Sequence, residues 1–166
     1  MVARAAAANL LLVITSSRAH SRLSPSKTLA VPEKVLGARP ALTRFEGKRL
    51  ILGIRPEDIE DAELAGGAAE GAKLSSVVDI REDMGSEVFA HFDVGGRPVR
   101  GEDVKAAVGE DAVEVAAAAT ESKGNVWVAR LDRETRAAEA RPIDLVVDTT
   151  RLHFFDPETG NAVYDD

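Results

Sequence analysis

The chain of 166 residues contains no cysteine and few aromatic residues, and both shortages narrow the classes of protein to which it can belong. Without cysteine there is no disulfide, no thiolate metal ligand and no catalytic thiol, which argues against a disulfide-stapled secreted module. Aromatic residues make up 4% of the sequence, with Trp127 and Tyr164 the single members of their types, so few bases or sugars could stack on aromatic rings. The core must therefore consist mainly of Val, Leu, Ile and Ala.

The sequence also lacks an excess of basic residues. Its formal net charge is -7 at pH 7 and its pI is about 5.1. Nucleic-acid-binding proteins usually gain affinity by releasing counterions through clustered lysine and arginine side chains. We therefore expect no nucleic-acid partner.

Long apolar runs are missing as well, since none approaches the ~20 residues that a membrane-spanning helix needs. At the N-terminus, Arg4, an apolar stretch from Ala5 to Ile14 and the small and polar residues after it have the general layout of a signal peptide. However, the polar Asn9 interrupts this stretch, and no clear A-x-A cleavage site follows it. These features favour the alternative, a buried first strand over Asn9 to Ser16.

No motif for phosphate binding, metal binding or nucleophilic catalysis is present in the sequence. In the nearest candidate for G-x-x-x-x-G-K-[ST], around Gly47, Leu42 stands where the first glycine belongs and Arg49 where the serine or threonine belongs. G-x-G-x-x-G, H-E-x-x-H and G-x-S-x-G are absent too. The three histidines are far apart in the sequence. We expect no catalytic residue, no cofactor and no metal in this chain.

What the sequence does contain is a succession of short β-type runs bounded by Gly, Pro, Asp or Asn. These runs are NLLLVITS, RLILGI, a pair of strands within LSSVVDIREDMGSEVFAHFDVGG, NVWVARLD, PIDLVVDTT and RLHFFD. A polar loop is predicted over Ser17 to Lys27, and a short helix over Glu102 to Val108. The pattern predicts an all-β fold with a short helical insertion, as a small barrel or sandwich.

The pair of strands is predicted to form a hairpin around Asp83-Met84-Gly85. In the second strand, apolar residues alternate with a mixed set, so that one face is uniformly apolar; the apolar residues are Val88, Ala90, Phe92 and Val94, and the mixed ones are Phe89, His91 and Asp93.

The C-terminal run RLHFFDPETG admits two interpretations. Asp156 and Glu158 could do acid/base chemistry if their environments separated their pKa values. Alternatively, Leu152 to Phe155 form a strand and Asp156 to Gly160 a turn, in which the aspartate bonds the backbone ahead of it and the glycine tolerates a positive φ. We favour the turn.

Three stretches, taken together, resemble a known family: LGIRPEDIE (Leu52 to Glu60), VVDIREDMGSEV (Val77 to Val88) and LHFFDPETGNAV (Leu152 to Val163). In this order they are similar to the C-terminal regulatory region of the ATP-binding subunits of bacterial ABC sugar importers, in the maltose, multiple-sugar and glycerol-3-phosphate group. The resemblance extends from about Gly47 to Val163. Before it, Ala8-Asn9-Leu10 is similar to the segment that opens this region in the family, which further favours a strand over a signal peptide.

The resemblance implies an OB-fold-like small barrel, a transport-associated OB (TOBE-like) regulatory domain, over residues 47–166. Residues 1–46 would then supply the first strands and a loop that pack on the barrel. The resemblance also implies a non-catalytic domain that regulates carbohydrate import or couples it to ATP hydrolysis. ATP and Mg²⁺ would be bound by a separate nucleotide-binding domain. The implied partners are a second copy in a two-fold dimer, the ATP-binding domain, the importer's membrane subunits and a regulatory protein, at the cytoplasmic face of the membrane.

The family motifs also imply roles for individual residues. The candidates for a regulatory or inter-domain surface are Glu82, Gly85, Ser86 and Glu87, although all four could equally serve only the hairpin turn. The residues expected to be structural are Arg55, Pro56, Glu57, Asp58, His153, Phe154, Phe155, Asp156 and Gly160.

Two alternatives from other classes remain. A stand-alone OB-type sensor would bind a small anion or sugar in a groove or at a subunit interface. A secreted carbohydrate-binding module would need a cleaved N-terminus and exposed aromatic residues, which the low aromatic content hardly supplies.

Overall fold

Ten strands form two antiparallel five-stranded sheets in the computed structural model, which describes residues 9–16, 20–22, 28–30, 34, 37–66, 72–95 and 125–163. In chain order the strands are β1 (Asn9–Ser16), β2 (His20–Arg22), β3 (Thr28–Ala30), β4 (Arg49–Ile54), β5 (Ile59–Asp61), β6 (Ala72–Asp83), β7 (Glu87–Asp93), β8 (Val126–Asp132), β9 (Pro142–Val147) and β10 (His153–Phe155). Short 3-10 helices span Pro40–Phe45, Pro56–Asp58 and Thr149–Arg151. The all-β prediction is confirmed.

The first sheet has the strand order β10-β4-β1-β2-β3. Strand β4 lies between β1 and β10, with Leu52 opposite both Leu11 and Phe154. It ends at Ile54 because Pro56 has no backbone N–H and holds the preceding Arg55 in extended geometry. The strand and its stop agree with the sequence prediction.

Strand β2 corrects the prediction of a polar loop over residues 17–27. His20–Arg22 pairs with β1, so that Arg22 lies opposite Ile14. Backbone hydrogen bonds can extend a sheet along a polar segment that has no apolar alternation, so the residue pattern does not indicate a strand here.

The second sheet has the order β5-β9-β6-β7-β8. Strand β8 packs back against β5 and the 3-10 helix Pro56–Asp58, so the sheet nearly closes into a barrel. The last strand of this sheet in the chain, β9, inserts between β5 and β6. The result is an all-β, OB-like barrel, as predicted.

The barrel interior is aliphatic with two large aromatic side chains. Phe92 and Trp127 lie opposite each other on β7 and β8 and are fully buried. The same interior face of β7 contributes Val88, Ala90 and, just after the strand, Val94, all at 0% exposure. The alternation predicted for the second hairpin strand is thus confirmed, and it supplies one wall of the core.

The C-terminal segment forms the strand and turn that we favoured. Leu152 and Phe154 are buried. After β10, the Glu158 N–H donates to Asp156 Oδ1 and the Gly160 N–H donates to the Asp156 carbonyl. Gly160 has a φ of 71°, a conformation that glycine adopts readily. Asp156 therefore serves the turn, and the acid/base interpretation loses its basis.

Two predictions concern regions that the structure leaves undescribed or untested. The helix predicted over Glu102 to Val108 lies outside the described residues. The domain boundary after residue 46 remains a prediction; the first sheet combines β1, β2 and β3 with β4 and β10, which come from beyond that boundary. Within the described part of the chain, no helix is long and apolar enough to cross a membrane.

Candidate functional site

The tip of the hairpin between β6 and β7 is a tight turn that brings the four candidate surface residues together. The Met84 N–H donates to the Glu87 carbonyl at 2.9 Å, so Gly85 and Ser86 form the loop. Gly85 has a φ of 84°, which explains glycine at this position. Its N–H donates to Asp83 Oδ1 at 2.9 Å, and this bond, with help from Arg81, lowers the pKa of Asp83.

Two cross-strand side-chain contacts, a histidine–glutamate hydrogen bond and a salt bridge, lie on the outer face of this hairpin, the side turned away from the barrel core. His91 Nε2 lies 2.7 Å from Glu82 Oε2, and because a carboxylate only accepts, the imidazole donates this bond. Arg130 Nη1 of β8 donates to Glu87 Oε2 at 3.3 Å. Both pairs are partly exposed, so they contribute little to stability and instead fix the positions of the two glutamates.

A row of exposed apolar side chains runs along the same face. Val77, Ile80 and Met84 are 49%, 53% and 64% exposed, and we call these three residues the β6 row. Ile80 lies on the outer face because a bulge shifts the register between Val78, which is opposite Phe92, and Ile80, which is opposite His91.

The structure thus places Glu82, Gly85, Ser86 and Glu87 at one end of an exposed surface, and it adds the β6 row to them. Sequence reasoning missed the row. Val77 and Ile80 are β-branched residues typical of a buried strand position, and strict alternation from the buried Val78 would put Ile80 inside. Only the bulge, which has no clear signature in the sequence, turns it outward.

The residues expected to be structural lie in two places: Arg55 to Asp58 form one crossing between the sheets, and His153 to Gly160 form β10 and the turn after it, directly beyond the second crossing. One crossing, Arg55 to Asp58, leads from β4 to β5, and the other, Asp148 to Leu152, leads from β9 to β10. They run side by side, and the Asp148 N–H donates to the Asp58 carbonyl at 2.9 Å. We call this pair of segments the inter-sheet joint.

Asp58 is the buried charge of the joint. Its side chain is 3% exposed, and Arg151 Nη1 donates to its Oδ1 at 3.4 Å while Oδ2 has no partner. Burial raises the pKa of Asp58, against the opposing effect of Arg151. Arg151 also pairs with Asp148, whose carboxylate accepts the Thr150 N–H and caps the 3-10 helix. Pro56 is buried, Glu57 partly buried and Arg55 exposed.

Arg39, from before β4, contacts both the second crossing of the joint and the aromatic ring of Phe154 just beyond it. Arg39 donates from its two terminal nitrogens to the carbonyl oxygens of Thr150 and Leu152, and its guanidinium lies 5.4 Å from the centre of the Phe154 ring. His153 is half-buried, and burial, followed by the charge of Arg55, lowers its pKa. Phe155 pairs with Ile51 and is also half-buried.

The ionisable side chains of the hairpin tip and of the joint have structural partners. They serve ion pairs, caps and turns. A search of the described residues finds no group of three or more His, Asp or Glu side chains that could hold a metal ion. The expectation that this chain carries no cofactor remains a prediction.

The sequence is similar to curated ATP-binding proteins of importers. The chain is 31% identical over 121 residues to the trehalose/maltose import ATP-binding protein MalK of Thermococcus litoralis, covering 72% of this chain and 25% of that protein. It is 27% identical over 118 residues to the trehalose import ATP-binding protein SugC of Mycobacterium tuberculosis, covering 68% of this chain and 28% of the relative.

A third relative has a different substrate in its name. The sn-glycerol-3-phosphate import ATP-binding protein UgpC 2 of Agrobacterium fabrum is 27% identical over 141 residues, which are 85% of this chain and 27% of that protein. No family profile matches the chain. The chain spans only about a quarter of the length of these curated relatives. The chain is thus a relative of the ATP-binding subunits of ABC sugar importers, and the match to about a quarter of their length is consistent with a C-terminal domain of such a subunit.

Proposed function

We propose that this chain is a non-catalytic regulatory and dimerisation domain of the ATP-binding subunit of an ABC sugar importer. The observation that carries the proposal is the extent of the match, 121 residues of this chain against a quarter of an ATP-binding protein. This chain forms an OB-like barrel, and its sequence has no phosphate-binding loop motif. ATP and Mg²⁺ then bind to a separate nucleotide-binding domain, and this chain holds no cofactor.

The proposed partners follow from this role. They are a second copy of the chain, the ATP-binding domain, the importer's membrane subunits and a regulatory protein, with the domain at the cytoplasmic face of the membrane. A regulatory domain can couple two nucleotide sites only if it holds the two subunits together while those sites open and close. An isologous contact does this, because each subunit presents the same patch to the other.

The non-catalytic part of the proposal predicts that the chain alone does not bind Mg-ATP. Binding needs a cradle of backbone N–H groups with a lysine for the phosphates and a carboxylate to position Mg²⁺, and the sequence has no motif for the first of these. Isothermal titration of the chain with Mg-ATP is the measurement, with Mg²⁺ alone as the control. Heats equal to those of dilution are expected, and saturable micromolar binding would contradict the proposal.

A further inference from the structure

The exposed apolar side chains of the described residues are concentrated on one strand. Of the four large apolar side chains that are well exposed there, three form the β6 row, and the fourth, Leu64, lies in the turn after β5. Single exposed apolar residues need no explanation, but a row of them on one sheet face marks an interaction surface. The row runs from the middle of β6 to the hairpin tip, where Met84 is 64% exposed.

Carboxylates lie beside the row. Asp79 and Glu82 alternate with its members along β6, whereas Asp83 lies opposite the buried Val88 and therefore on the other face of the strand. Glu139 adds a third carboxylate from the turn before β9.

The cations on or near this strand are Arg81, which pairs with Asp83 at 3.1 Å, and Lys73. Arg130 lies on the same outer face and pairs with Glu87 at 3.3 Å. Within the described ranges Asp79 has no ion-pair partner, and Glu82 contacts only His91. The surface is thus apolar and acidic.

The edge of β6 beside the row is closed to an added strand. At Val78 the turn before β9 completes the ladder, since the Ala140 N–H donates to the Val78 carbonyl at 2.8 Å. Further along, the Arg81 N–H donates to Glu139 Oε1 at 3.1 Å, so a charged side chain occupies the next position on the edge. Charged residues of this kind protect sheet edges from pairing. A ligand must therefore pack on the outer face of β6 and not along its edge.

We propose that the β6 row is the docking surface for a basic, amphipathic segment of a partner protein. Apolar side chains of that segment cover Ile80 and Met84, while its lysines or arginines meet Glu82 and Asp79. The same carboxylates disfavour nucleic acid and anionic lipid. They also disfavour a second copy of this chain, because a two-fold contact here would bring like charges together. The inference rests on the proposed regulatory role, and it places the dimer contact elsewhere on the molecule.

The test uses a blocked peptide in which lysine and leucine alternate, so that an extended conformation presents one apolar face. Its binding to the full chain is measured by fluorescence polarisation and located by amide shifts in NMR spectra. We expect saturable binding, with shifts centred on β6 and β7. A control peptide with glutamate in place of lysine keeps the apolar face but loses the charge complementarity to Asp79 and Glu82. It is expected not to bind.

Matched variants separate the row from general surface effects. The double substitution Ile80→Ser with Met84→Ser should weaken binding of the lysine peptide about tenfold or more, as expected when central apolar contacts are removed. Leu64→Ser, which changes an exposed leucine outside the row, should leave the affinity unchanged. Asp79→Asn with Glu82→Gln should weaken binding and reduce its salt dependence, whereas Glu134→Gln, an exposed glutamate in the turn after β8, should not.

Three results would overturn the inference: no saturable binding of the lysine peptide, shifts centred outside β6 and β7, or equal losses for the row variant and Leu64→Ser. None of them bears on the self-association expected from the proposed function, which is measured without any peptide. A chain that dimerises but does not bind the peptide would retain the proposed function and lose this inference. A monomeric chain that binds the peptide at the row would retain this inference and lose the dimerisation part of the proposed function.

Discussion

Phe154 and Glu158 lie four positions apart in the C-terminal segment and have opposite environments. The Phe154 ring is 4% exposed, packs in the main core and lies under the Arg39 guanidinium. Glu158 is exposed, and its N–H belongs to the turn made by Asp156. Within this run of polar and aromatic residues, the position of a residue in the strand or turn decides whether it is structural. Its chemical type does not.

We predict that Phe154→Ala lowers the free energy of unfolding by about 3 to 5 kcal/mol, because it removes a buried ring and leaves a cavity. Glu158→Ala should change it by less than about 0.5 kcal/mol, as is usual for an exposed side chain without tertiary contacts. Denaturant melts of the two variants and the wild type make the comparison. Small and equal losses would mean that β10 is peripheral and would return RLHFFDPETG to the list of possible sites.

At the scale of elements, most strands were predictable from composition and alternation. Strands β1, β4, β7, β8 and β9, with the hairpin tip at Gly85, appear where the sequence placed them. The short strands β3 and β5 were not placed by the sequence pattern, and three further features were not predictable. His20–Arg22 has no apolar pattern, β9 inserts between β5 and β6 through contacts distant in the chain, and a bulge turns Ile80 outward. Pairing partners and bulges depend on tertiary context, which a local pattern does not contain.

In the candidate site, too, local features were predictable and contacts between strands were not. Gly85 and its turn follow from local chemistry, and Glu82 and Glu87 were named from motifs that span the hairpin. The Glu82 contact with His91 and the Glu87 contact with Arg130 join different strands, and they required the register to be known. Only the Arg55 to Asp58 segment of the inter-sheet joint was predicted to be structural, and its contact with the second crossing required the fold to be known.

The inter-sheet joint predicts a characteristic pH dependence of stability. Burial raises the pKa of Asp58 above its ordinary value of 3.8. A carboxyl whose pKa is higher in the folded than in the unfolded state binds protons more tightly when folded, so its contribution to stability is complete below 3.8 and is lost as pH rises through the folded pKa.

We therefore expect Asp58→Asn, which cannot ionise, to gain stability relative to the wild type as pH rises from the acid range toward neutrality. Chemical denaturation of both proteins across this range is the measurement, with Glu158→Gln as the control for the loss of one exposed carboxylate. The slope of the difference is diagnostic even if the asparagine variant is less stable overall. A difference that moves in the opposite direction would mean that the Arg151 pair outweighs burial.

At the scale of the whole molecule, the fold joins two sheets through one joint and exposes an acidic, partly apolar face on the second sheet. The net charge of -7 opposes close approach of two copies at long range. A dimer contact must therefore be locally apolar or charge-complementary. It should also tighten at moderate salt, where the Debye length falls to about 10 Å and the general repulsion is screened.

Sedimentation velocity over a concentration series, at low and at moderate salt, tests the central claim of a regulatory and dimerisation domain most directly. We predict a monomer that converts to a two-fold dimer as concentration rises, with the midpoint at lower concentration in moderate salt. The double variant Ile80→Ser with Met84→Ser should give the same curve, because the dimer contact lies outside the β6 row. A strictly monomeric species at high concentration in both buffers would contradict the dimerisation role and favour a stand-alone sensor of a small ligand.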